Sequence, residues 1–83
     1  MRSLLIGTKE ILKEQIEYYI LAEEDQDAYM ESYGVRIVHG ESISQICRIT
    51  ASSDKIQTLI MRLMEGLVTP ITLRDVIEDW VLR

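Results

Sequence analysis

One cysteine, one histidine and one proline are all that 83 residues contain of each. The lone thiol, Cys47, has no partner for an internal disulfide, so the fold must stand on packing alone, as suits a reducing compartment such as the cytoplasm. The lone histidine, His39, has no nucleophile or carboxylate at a spacing that marks catalysis and reads as a solvent-facing turn residue beside Gly40. Long apolar runs are missing too. The opening "MRSLLIGTKE" is too short in apolar length for a signal peptide, and no stretch approaches the ~20 residues of a membrane span. Positive charge is scarce: nine bases stand against fourteen acids, net −5, and the bases do not cluster. A phosphate backbone would be repelled by such a surface, which argues against nucleic acid as a partner. There is no internal repeat and no low-complexity segment.

What is present reads as one small domain, residues 1–83, of the α+β class. Hydrophobic residues make up 47% and charged residues 28%, a balance that folds. A chain this short buries roughly 60–65% of its unfolded surface and has about 4–12 kcal/mol of stability. "IEYYILAEE" (16–24), "YGVRIVH" (33–39) and "SISQICRIT" (42–50) are rich in β-branched and aromatic residues. Gly40 in "HGE" supplies a hairpin turn between the last two, and "DQDAYMES" is a polar loop between the first two. The expectation is an antiparallel meander of three strands. Residues 1–14 fit either a helical or an extended pattern; a fourth strand is the preferred reading, with "KEQ" as its turn.

Two helices should follow. Ser52 or Ser53 can cap the first, with Asp54 in its first turn. Ile56, Leu59, Ile60, Leu63, Met64 and Leu67 form one apolar stripe, and Gly66 is placed for a left-handed C-cap. In "VTPITLRDVIEDW", Thr72 and Asp75 make a capping box and Ile71 and Val76 a hydrophobic staple. Leu73, Val76, Ile77, Trp80 and Val81 are the expected buried face, with Asp75, Glu78 and Asp79 opposite. Helix, turn, helix is thus possible as a topology, but a second helix with three acids lacks the donors that a DNA groove requires.

No catalytic, metal or cofactor motif emerges. Asp75, Glu78 and Asp79 read as a solvated helix face, and "EEDQDAYME" lacks the spacing and central glycine of a calcium loop. Cys47 lies mid-strand, with Arg48 expected on the opposite face, where it cannot activate the thiol. The strands, however, do not choose one apolar face. Ile16, Tyr18, Ile20 and Ala22 oppose Tyr19 and Leu21; Val35 and Ile37 oppose Val38; Ile43, Cys47 and Ile49 oppose Ile46. Two helices can cover only one face of a sheet. Tyr19, Leu21, Arg36, Val38, Ile46 and Arg48 are therefore candidates for an interface with a second copy of the chain or a protein partner, unless a bulge shifts the strand phase.

The order "EYYILAEE", "YGVRI", "ITASSDKIQTLIMRL" and "VTPITLRDVIEDW" resembles a family of small proteins from Clostridia-type Firmicutes, a domain of unknown function. The resemblance runs from about Glu17 onward and implies a bacterial, cytoplasmic, single-domain protein with nothing catalytic to carry over. The expected function is a non-catalytic interaction or regulatory module that forms a homodimer through its sheet, without cofactor, nucleic acid or membrane. Two alternatives stay open: an acidic inhibitor or nucleic-acid mimic that binds a basic protein surface, and a ligand-binding domain or enzyme whose site, with His39, Cys47 or an arginine, forms only in an oligomer.

Overall fold

The computed structural model describes residues 1–25 and 30–82. Four strands, β1 (Arg2–Ile11), β2 (Glu14–Asp25), β3 (Met30–His39) and β4 (Ser42–Thr50), form one antiparallel sheet in the order β1-β2-β3-β4. Two helices follow, α1 (Ser53–Glu65) and α2 (Leu73–Val81). The expected α+β meander is thus present, with the N-terminal segment as its fourth strand. β2 and β3 run further into the polar segment than expected, to Asp25 and from Met30; the rest of that predicted loop, residues 26–29, lies outside the described residues.

Two tight turns set the register. Ile11 pairs with Glu14, so the β1–β2 turn is Leu12–Lys13, not "KEQ". Both turn residues have positive φ, 51° and 72°, as the type I′ hairpin requires. His39 pairs with Ser42 across Gly40–Glu41, and Gly40 takes φ 61° as expected.

Ile16, Tyr18 and Ile20 of β2 pair with His39, Ile37 and Val35 of β3. Paired residues share a face. This face packs against Ile56, Leu59, Ile60 and Leu63 of α1 and Leu73 and Ile77 of α2 to form the core. The Tyr18 hydroxyl donates to the Val68 carbonyl at 2.9 Å, which ties the α1–α2 connection to the centre of the sheet.

The helix ends differ from the sequence pattern. Ser52 caps α1 as read: its Oγ accepts from the Lys55 amide at 3.2 Å. At the other end Gly66 is right-handed, with φ −83°, and Leu67 takes the left-handed conformation at φ 51°. The Val68 amide donates to the Leu63 carbonyl and the Leu67 amide to the Met64 carbonyl, the paired bonds of a Schellman motif displaced one residue beyond the glycine. The capping box at α2 does not form. Thr72 makes no side-chain cap; its hydroxyl and amide both turn back to the Thr69 carbonyl. Ile71 is 86% exposed, so no staple closes on Val76. Val81 is also exposed and Trp80 only half-buried, at the edge of the core, so the last turn of α2 buries less than its apolar pattern predicts.

Candidate functional site

The register places three rows on the sheet face opposite the helices. One runs Ser3, Leu21, Gly34; the next Leu5, Tyr19, Arg36, Gln45; the third Thr8, Glu17, Val38, Ile43. Tyr19, Leu21, Arg36 and Val38 therefore share this open face, as expected. Ile46 does not. It pairs with Val35 on the helix face and packs against the core. The register is continuous from Ser42 to Ile46, so regular alternation sets Ile43, not Ile46, on the face of Val38; beyond Ile46 a bulge in β4 shifts the register opposite Gly34, where Arg48 takes φ 56°. The bulge returns Ile49 to the core side. It brings Cys47 and Arg48 to one face, not two: Gln45 Nε2 lies 3.9 Å from Cys47 Sγ, and Arg48 Nε donates to Glu23 Oε2 at 3.1 Å.

Gly34 makes this bulge possible. A Cβ there would sit 2.8 Å from the Cys47 Cα and closer still to the Ile46 carbonyl oxygen. With no side chain at Gly34, Arg48 can reach from β4 to Glu23 on β2 across the middle of the sheet. Leu21, directly opposite Gly34, is left only 1% exposed although it faces away from both helices. It is structural filling, not available surface.

The remaining polar groups on this face are largely matched among themselves. Arg36 Nε donates to Gln45 Oε1 at 2.9 Å, and its guanidinium lies 5.9 Å from the centre of the Tyr19 ring. The Tyr19 hydroxyl donates to Glu17 Oε2 at 3.1 Å. Shielding from solvent, then the bond to Glu17 and its charge, raise the Tyr19 hydroxyl above its ordinary pKa, against the lowering effect of Arg36. Leu5 and Ile43, both exposed, complete the apolar part of the face. Sequence reading missed them because it weighed no residue of the N-terminal strand for this face and set Ile46, not Ile43, beside Val38.

A second apolar surface lies at the β1 edge. Leu4 and Ile6 of β1, with Ile60 and Met61 of α1, line a groove of about 400 Å³. Arg2 bonds to Glu31 at one end of it, and the Tyr33 hydroxyl donates to the other Glu31 oxygen at 2.9 Å. That bond, then burial, raises the Tyr33 pKa. On the other flank of α1 a mixed cleft of about 570 Å³ lies between Ile49, Lys55, Arg62 and Trp80.

His39 is not the exposed turn residue that the sequence suggested. It is half-buried at the end of β3, and its Nε2 lies 2.7 Å from Glu14 Oε2, a carboxylate brought there by the β1–β2 turn. Asp75, Glu78 and Asp79 are exposed on α2. Among the described residues no three His, Cys, Asp or Glu side chains are arranged to hold a metal ion, and no helix is long and apolar enough to cross a membrane.

Comparison with known proteins decides the family. The chain belongs to the family of unknown function DUF6514, which matches residues 2–83. The match includes the N-terminal strand that sequence reading had left outside its resemblance. No curated protein and no solved structure matches the chain.

Proposed function

We propose that this DUF6514 member is a non-catalytic interaction module of the bacterial cytoplasm that pairs with a second copy of itself through the open face of its sheet. The observation that carries this reading is the one-sided packing: both helices lie on one face, while the other presents Leu5, Tyr19, Val38 and Ile43 beside Glu17, Glu23, Arg36 and Arg48. A two-fold axis suits such a patch. It sets apolar residues against themselves, while the polar groups around them are already matched within each copy. The lone cysteine supports the reducing compartment.

Sedimentation equilibrium at micromolar concentration tests the reading. The chain should run at twice its mass, and Val38→Lys, at a half-buried position on the open face, should return it to the monomer with its fold intact. A wild-type monomer, or a dimer indifferent to Val38→Lys, would refute it.

A further inference from the structure

We draw no further inference here: the strongest candidate, the apolar groove between β1 and α1 with Leu4, Ile6 and Met61 on its walls, has its charged end closed by the Arg2–Glu31 pair, and nothing among the described residues shows what covers it.

Discussion

At Gly34 the space that a side chain needs is already occupied by the backbone of β4. Those atoms belong to a paired strand and cannot swing aside as the end of a side chain could. Gly34→Ala should therefore destabilise the fold by about 3 kcal/mol, the upper range for overpacking, and release Arg48 from Glu23. A thermal melt within a degree or two of wild type would contradict this. Tyr18 is the second residue with a distinct role. Its ring is fully buried, and its hydroxyl holds the Val68 carbonyl. Tyr18→Phe leaves that carbonyl without its partner and should cost about 1–2 kcal/mol. Burial raises the Tyr18 pKa above its ordinary value of 10.0. The unfolded chain then loses this proton first, so the folded state binds more protons above pH ~10 and stability falls as pH rises. Below that pH the contribution is fully present. Denaturant midpoints measured from about pH 8 to 11 should decline more steeply for wild type than for Tyr18→Phe. Parallel declines would show that the Tyr18 hydroxyl is not responsible. The sequence presents Gly34 only as an interruption in an apolar alternation, since a glycine required by a neighbouring strand's backbone leaves no local pattern.

The elements were legible wherever local chemistry and tertiary structure agree. β2 and β3 are runs of β-branched and aromatic residues, Gly40 stands in its turn, and α1 has both its serine cap and its apolar stripe. Three features were not legible, each for a physical reason. The Leu12–Lys13 turn uses left-handed residues with neither asparagine nor glycine, so the first hairpin carries no turn signal. The β4 bulge is set by Gly34 on the neighbouring strand, and its phase shift beyond Ile46 sends Ile49 to the core side. At α2 the sequence of a capping box is present, but the turn at residues 70–72 directs the Thr72 hydroxyl to Thr69. The two helix starts therefore give a paired prediction. Ser52→Ala should cost about 0.5–2 kcal/mol, as loss of a true cap does. Thr72→Ala should stay within about 0.5 kcal/mol, as a surface change does. Equal losses in urea denaturation would mean that Thr72 caps α2 after all.

For the whole molecule, the decisive feature is that two helices cover one side of a four-stranded sheet. Of the six residues first marked for an interface, Tyr19, Arg36, Val38 and Arg48 lie on the uncovered side, Leu21 is buried within the chain, and Ile46 belongs to the core. The sequence revealed that a second face carries apolar side chains, because alternation alone shows that. Which of them remain exposed depends on the bulge and on β1, and so required the structure. Tyr19, Val38, Leu5 and Ile43 together make the patch from which self-association is inferred. The most direct measurement is an isotope-filtered nuclear Overhauser experiment on a mixture of labelled and unlabelled chains. It should give intermolecular cross-peaks between the methyl groups of Leu5, Val38 or Ile43 in one copy and the ring of Tyr19 in the other. Absence of intermolecular cross-peaks at these residues at concentrations well above micromolar, or their appearance only at Leu4, Ile6 and Met61, would contradict the account.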